Sequence, residues 1–207
     1  MAVPDHSIDP RIFESARKEF LENGFEKASL KAICEKAGVT TGALYKRYKG
    51  KEDLFCAVVE QTVKDLYEVA HSRGDRDPAA MSDAELIKAW DMDGPDMMWW
   101  MRFLYDRHDD FVLLLSRSDG TRYANFQHDW VEVLTKATSA FLAEAQRRGI
   151  CRTDVGPEEL HILLSAFWTT IYEPFIHGFN WEQIEQHCRI VCKLFDWHKA
   201  LEFHVEK

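Results

Sequence analysis

Residues 13–55 read FESARKEFLENGFEKASLKAICEKAGVTTGALYKRYKGKEDLF, and this stretch decides the fold. Its apolar residues recur at helical spacing, which predicts helices over about 10–23, 29–37 and 40–48. Gly38 ends the second helix. Two residues later Thr40, whose side chain can cap free backbone N–H groups, begins the third helix. Two short helices joined by a tight glycine turn, after a longer supporting helix, are typical of a helix-turn-helix.

The third predicted helix has the features that a DNA-reading helix needs. The major groove admits one α-helix, and the preceding helix braces it across the sugar-phosphate backbone. Leu44 can anchor the helix inward, whereas Gly42 has no side chain and would let the backbone press close to DNA. A glycine inside a helix lowers helix stability by about 1 kcal/mol relative to alanine. Its presence here therefore indicates a compensating advantage at this position. The residues expected to face outward are Thr40, Thr41, Tyr45 and Lys46.

The same stretch resembles the DNA-binding region of the TetR/AcrR family of transcriptional regulators. The family often has phenylalanine at the position of Tyr48 and alanine at that of Cys34, and both replacements keep an apolar group at a core position. The resemblance rests on Phe25, Ser29, Ala37-Gly38-Val39-Thr40, Gly42-Ala43-Leu44-Tyr45, Tyr48 and Lys51-Glu52-Asp53-Leu54.

The resemblance also implies roles for individual residues. Ser29 and Lys51 resemble phosphate contacts at the starts of the second and fourth helices, and Tyr48 supports the reading helix. Each residue has a plainer alternative: a cap, a solvated charge or a core side chain. The full set of implied DNA-binding residues is Ser29, Thr40, Thr41, Gly42, Tyr45, Lys46, Tyr48 and Lys51.

The charge distribution supports a DNA-binding head. The chain of 207 residues has a net charge of −9. Residues 1–51 nevertheless hold ten Lys or Arg against seven Asp or Glu, and the remainder is strongly acidic. A head of this sign can approach a polyanion that would repel the rest of the chain. We therefore expect a DNA-binding domain over 1–51 and an effector-binding and dimerisation domain over 52–207.

Helical spacing continues through the remainder, so the predicted fold is all-α: a three-helix head on a larger helical body. The resemblance implies that this body dimerises through its last two long helices and encloses a ligand cavity. Two apolar stripes would permit such an interface, although packing inside one subunit is the alternative. The predicted interface residues are Leu164, Phe167, Ile171, Ile184, Cys188, Val191 and Phe195.

A cluster of methionines and aromatic residues is the candidate cavity wall, because methionine adapts in shape and aromatic rings offer flat apolar surface. Plain core packing is the alternative. The predicted lining residues are Trp90, Met97, Met98, Trp100, Met101, Tyr105, Trp168 and Tyr172. If the body were filled, a ligand-independent DNA-binding protein would be the better interpretation.

Other functional classes have weaker support. The sequence contains no nucleophile elbow, P-loop, zinc-protease or dinucleotide glycine motif, so we expect neither an enzyme nor a cofactor. Cys188 and Cys192 could form a metal or thiol sensor, but buried apolar thiols are the better interpretation. No apolar run is long enough for a membrane span, and no signal peptide precedes the head, so we expect a cytoplasmic protein.

Taken as a whole, the sequence predicts a homodimer that binds a palindromic operator in double-stranded DNA. A small, largely apolar effector is expected to release it, as in a ligand-controlled repressor. The alternatives are a DNA-binding regulator without an effector and a metal or thiol sensor.

Overall fold

The computed structural model describes residues 9–92, 94–151 and 154–203. Within these ranges the protein is helical, as predicted, and its only β pairing is an isolated bridge between Cys151 and Phe203. The helices are α1 (Asp9–Lys27), α2 (Leu30–Ala37), α3 (Thr41–Tyr45), α4 (Lys51–Gly74), α5 (Asp83–Lys88), α6 (Gly94–Tyr105), α7 (His108–Ser116), α8 (Phe126–Arg148), α9 (Pro157–Ile176), α10 (Trp181–Leu194) and α11 (Trp197–Ala200).

Several helix ends differ from the sequence prediction. Gly24 leaves helical geometry as expected, with φ +71°, but one further helical turn follows it to Lys27. Regular helix in α3 stops at Tyr45 rather than about Tyr48, where the chain closes a tight turn on the Leu44 carbonyl. The last predicted helix is divided into α10 and α11. These are end effects, where capping competes with a few backbone hydrogen bonds.

The chain divides into two compact units. The first unit comprises the described residues up to Asp65 together with Arg107–Phe126. Its core is built around three aromatic rings, because Phe55 packs edge-on against both Phe20 and Phe25 at centroid distances of 5.1 and 5.6 Å. These rings hold α1 against the start of α4 and thereby support the helix-turn-helix.

Helix α7 belongs to this first unit, although the sequence placed it in the effector body. Asp110 accepts hydrogen bonds from the Arg17 guanidinium of α1 and from the Thr62 hydroxyl of α4. The Phe25 N–H donates to the Arg117 carbonyl over 3.0 Å. Long-range ion pairs and hydrogen bonds thus bring a segment from later in the chain into this unit.

The second unit comprises Leu66–Asp106 and the described residues from Gln127 onward. Helices α6 and α10 pack together in this unit. The ring of Trp181 lies 5.3 Å from that of Tyr105, and the Arg102 guanidinium lies 4.2 Å from the Trp181 ring. No described helix is long and apolar enough to cross a membrane.

Candidate nucleic-acid interface and ligand cavity

The turn between α2 and α3 is fixed by local backbone chemistry. Gly38 adopts left-handed geometry, with φ +66° and ψ +37°, and its N–H bonds to the last carbonyls of α2. This conformation favours glycine, because a Cβ atom would be strained there. The Thr40 hydroxyl then accepts the Ala43 N–H over 3.1 Å and caps α3. The order of signals in the sequence thus produces the predicted helix-turn-helix.

The start of α2 is held by a buried carboxylate. Glu19 accepts hydrogen bonds from the Ser29 N–H and the Lys36 ammonium, each over 3.1 Å. Burial raises the pKa of Glu19, but these hydrogen bonds outweigh burial and leave the pKa below its ordinary value. The Ser29 hydroxyl caps α2 by accepting the Ala32 N–H. Glu19 is a positioning residue that sequence reasoning missed, because its partners lie ten and seventeen positions away.

Helix α3 presents a continuous exposed face. Leu44 is fully buried and anchors the helix, whereas the ring of Tyr45 is 57% exposed. A Cβ atom on Gly42 would have only ordinary contact with its surroundings, the nearest being the Thr40 hydroxyl oxygen at 3.9 Å. Packing within the chain therefore does not require glycine at this position. Gly42 is exposed, and so are all four predicted outward residues, Thr40, Thr41, Tyr45 and Lys46.

Residues after α3 brace the reading face. Tyr48 is half-buried, its ring lies 6.1 Å from that of Phe13, and burial raises the pKa of its hydroxyl. Arg47 donates to the Asp9 carboxylate over 2.8 Å and to the Ala43 carbonyl over 3.2 Å. The arrangement agrees with a supporting role for Tyr48.

Lys51, the predicted phosphate contact at the start of α4, is also held by contacts within the chain. Its ammonium donates to the Glu26 carbonyl over 2.8 Å and to the Ala28 carbonyl over 3.1 Å. It also lies 4.8 Å from the centre of the Phe25 ring. The side chain thus satisfies carbonyls at the end of α1, which require partners once the helix stops. The assignment of Lys51 as a phosphate contact stays a prediction beside this structural role.

We expect Lys51→Met to destabilise the first unit by about 1–3 kcal/mol, because it leaves helix-end carbonyls without their charged donor. Urea unfolding measures the effect, and Lys49→Met is the matched control at an exposed neighbouring lysine. Unchanged stability, together with a salt slope of operator binding reduced by about one per subunit, would favour a phosphate contact over the structural role.

The second unit contains a cavity of about 420 Å³. Its wall is mainly apolar and combines the end of α4 with α5, α6, α8, α9 and α11. A volume of this size is in the range that binds small molecules. Three of the eight predicted lining residues belong to the wall, namely Trp90, Trp100 and Trp168. The remaining wall is formed by Val69, Ala70, Ser72, Arg76, Glu85, Lys88, Ala89, Asp91, Met92, Asp96, Trp130, Leu134, Ala137, Thr138, Phe141, Leu164, Phe167 and Trp197.

The other five predicted lining residues lie elsewhere. Met97 and Met101 are fully buried in the core, which is the alternative that the sequence left open. Met98 is half-buried outside the wall, Tyr105 packs on Trp181, and Tyr172 packs on Trp168. Helical spacing predicted a Met/aromatic cluster, but only the packing of α6 decides which side of the cluster faces the cavity.

Arg148 organises the turn that precedes α5. Its guanidinium donates to the carbonyls of Pro78, Ala79 and Met81 and to the carboxylates of Asp83 and Glu144. Arg147 and Arg148 lower the pKa of Glu144 to about 2, so this carboxylate stays ionised well into acid. The network fixes the segment that leads into the cavity-lining residues of α5.

The predicted dimer residues pack inside the chain. Ile171 and Ile184 are fully buried, and Leu164, Phe167, Cys188 and Val191 are nearly so. Phe195 is half-buried, with its ring 5.1 Å from that of Phe167. A side chain without exposed area has none left to bury against a partner. These side chains are therefore used for packing within one protomer, where α10 lies against α6.

A different face of α9 and α10 is apolar and exposed. Ile162, Ile190 and Leu194 are 60%, 58% and 69% exposed. The two helices are adjacent, because His187 Nε2 lies 2.7 Å from the Thr170 carbonyl and Phe167 contacts Phe195. We call Ile162, Ile190 and Leu194 the exposed apolar face. Sequence periodicity missed it because each helix carries apolar residues on more than one side.

Of the two neighbouring cysteines, Cys188 is buried and Cys192 is half-buried. Burial, followed by the neighbouring Cys192, raises the pKa of Cys188 to about 12. A protonated thiol is a poor nucleophile and a poor metal ligand. Among the described residues, no group of three or more His, Cys, Asp or Glu is arranged to hold a metal ion.

Comparison with known proteins agrees with the geometry of the head. A family model described as "Bacterial regulatory proteins, tetR family" matches residues 12–58. Over 168 residues the chain is 27% identical to the HTH-type transcriptional repressor AcnR of Corynebacterium glutamicum. That alignment covers 80% of this chain and 78% of AcnR. The similarity therefore extends well beyond the helix-turn-helix.

Solved structures share the whole fold. A TetR-like transcriptional regulator from Rhodococcus sp. RHA1 is similar with a TM-score of 0.63 and 16% identity, over 96% of this chain and 98% of that one. FadR from Bacillus subtilis, solved in complex with stearoyl-CoA, is similar with a TM-score of 0.58 and 14% identity, over 90% and 96%. The family model matches residues 12–58, so the head is a DNA-binding domain of the tetR type, and the relatives named as transcriptional repressors support a DNA-binding transcriptional regulator.

Proposed function

We propose that this regulator is a repressor that binds a palindromic operator as a homodimer in the cytoplasm and is released by a small, largely apolar effector. The observation that carries the proposal is a single chain with an exposed reading helix in one unit and an apolar cavity of about 420 Å³ in the other. Because AcnR is named as a transcriptional repressor, it supports repression rather than activation.

The exposed face of α3 would read the operator. Tyr45 and Lys46 have the reach to contact base edges or phosphates in the major groove. The Thr40 and Thr41 hydroxyls are suited to donate to phosphates, and the missing side chain of Gly42 allows close approach of the backbone. Ser29 stands exposed at the start of α2, where helix-end N–H groups favour an anion.

The exposed apolar face would form the dimer interface. Isolated apolar side chains are common on protein surfaces, but this face lies on two adjacent helices and includes three large aliphatic residues with more than half of their area exposed. Pairing it with a second copy gives a two-fold symmetric four-helix contact. A two-fold dimer presents two reading helices, which explains why the operator should be palindromic.

Effector binding would act by population shift. The effector needs only to prefer a dimer conformation in which the two reading helices no longer match the spacing of the half-sites. A tenfold loss of operator affinity requires about 1.4 kcal/mol of coupling, and DNA must weaken effector binding by the same factor. FadR, which shares this fold, was solved in complex with stearoyl-CoA, a ligand with a long apolar acyl chain.

Selection of duplexes from a random pool tests the DNA-binding part of the proposal. We expect enrichment of a palindrome whose half-sites lie about 34–36 Å apart, or a multiple of that distance. Tyr45→Ala and Lys46→Ala should weaken this site more than random DNA, and binding should fall steeply with salt. An enriched site without two-fold symmetry, or equal losses on all sequences, would contradict it.

A further inference from the structure

The cavity in the second unit has an unusual wall. Five of the seven tryptophans of the chain line it, namely Trp90, Trp100, Trp130, Trp168 and Trp197. They come from separate elements of the unit, so the fold gathers them at one place rather than inheriting them from one helix face. Phe141 and Phe167 add two further rings to the wall.

Two of the wall indoles, Trp100 and Trp130, are nearly parallel, whereas Trp168 is inclined by 44° to Trp130. The Trp100 and Trp130 planes are inclined by only 9° at a centroid distance of 6.4 Å. Phe103 continues this stack from behind, inclined by 7° to Trp100 at 5.3 Å. Trp168 extends the aromatic surface next to Trp130, with centroids 5.8 Å apart. A side chain backed by other rings holds its plane, so this wall is preorganised for stacking.

Another part of the wall is aromatic as well. The rings of Trp90 and Trp197 lie 6.0 Å apart, and Phe167 lies 5.7 Å from Trp197. Five charged residues also line the wall: Arg76, Glu85, Lys88, Asp91 and Asp96. Arg76 lies 3.7 Å from the Glu85 carboxylate, and the Asp91 carboxylate lies 3.3 Å from His198. The wall is nonetheless mainly apolar, and aromatic rings are its largest groups.

We infer that the effector is a planar aromatic molecule that stacks on the indoles of this cavity, rather than a flexible acyl chain. This inference rests on the proposed function and narrows its effector class. Offset stacking of flat rings adds to the burial of apolar area. A rigid planar ligand also loses little conformational entropy on binding, whereas an acyl chain has many rotatable bonds that must be ordered.

Two carboxylates with the same number of carbon atoms test the inference. Anthracene-9-carboxylate is planar and pentadecanoate is flexible, and both carry one negative charge. Equilibrium dialysis of the full-length protein measures both affinities. We expect the wild type to bind the planar compound at least tenfold more tightly. Equal or tighter binding of pentadecanoate, or no binding of either compound, would overturn the inference.

Three variants test whether the preference for the planar compound arises in the cavity. Trp100 is half-buried, so Trp100→Leu removes a stacking surface without emptying the core, and it should reduce the preference at least fivefold. Trp100→Phe should keep most of it, because a ring remains. Trp181→Leu is the matched control, since Trp181 lies outside the wall. An undiminished preference in folded Trp100→Leu protein, or an equal loss in Trp181→Leu, would contradict stacking in the cavity.

Operator release by the same two compounds separates this inference from the proposed function. Release by pentadecanoate alone would support effector control and overturn the planar class. Tight binding of the planar compound without any release would support the planar class and contradict effector control. Release by the planar compound alone, lost in Trp100→Leu, would support both.

Discussion

Replacing Gly42 with alanine is expected to reduce operator affinity at least tenfold while leaving the head folded. The structure has room for the added methyl group within the chain, since its nearest neighbour would be 3.9 Å away. Alanine also favours a helix by about 1 kcal/mol over glycine, so thermal stability should be unchanged or slightly higher. The loss therefore comes from DNA, because a Cβ atom on the exposed face of α3 would hold the backbone away from the groove.

Fluorescence anisotropy with the selected operator measures this effect, and a melting curve reports the fold. Gly156→Ala is the matched control: Gly156 precedes α9 in the second unit with an ordinary φ of −82°. It should bind the operator as the wild type does. If Gly42→Ala binds as tightly as the wild type, the α3 backbone does not approach DNA closely and the orientation of the reading helix is wrong.

The second large effect is expected at the exposed apolar face. Ile190→Asp should leave a single protomer folded, because the Ile190 side chain is 58% exposed. In a dimer it would place an unpaired charge in an apolar contact, which costs several kcal/mol. The variant should sediment as a folded monomer and lose operator affinity by more than tenfold, although the head is untouched.

Two comparisons make this test specific. Ile184→Asp should unfold the chain, because Ile184 is fully buried between the helices of one protomer. Trp99→Gln removes a large exposed apolar side chain on α6, and it should remain dimeric. If Ile190→Asp still sediments as a dimer and binds the operator, the interface lies on another face.

Much of the head could be predicted from the sequence because its signals are local. Ser29 and Thr40 cap the helices that follow them, and Gly38 supplies left-handed geometry at the end of α2. Each of these interactions spans only a few residues. Helical spacing identified Leu44 as the anchor for the same reason. The family resemblance and the exposed reading face therefore followed without knowledge of the tertiary structure.

The partners of single side chains were decided by tertiary structure. Lys51 fits a phosphate contact in sequence, but its acceptors are carbonyls more than twenty positions earlier in the chain. The role of Glu19 cannot be predicted from its position in the sequence, because it depends on hydrogen bonds from Ser29 and Lys36 in the folded chain. Such roles depend on distances between remote segments, which residue spacing along one helix does not contain.

The cavity and the candidate interface show the same limit on a larger scale. The sequence showed that α9 and α10 have apolar stripes, but periodicity cannot tell a face that packs inside the protomer from one that remains exposed. It identified a Met/aromatic cluster on α6, but the cavity is lined by tryptophans brought together from several helices. Local pattern determined which helices form, and the packing between helices decided which of their faces are buried, which enclose space and which stay open to a partner.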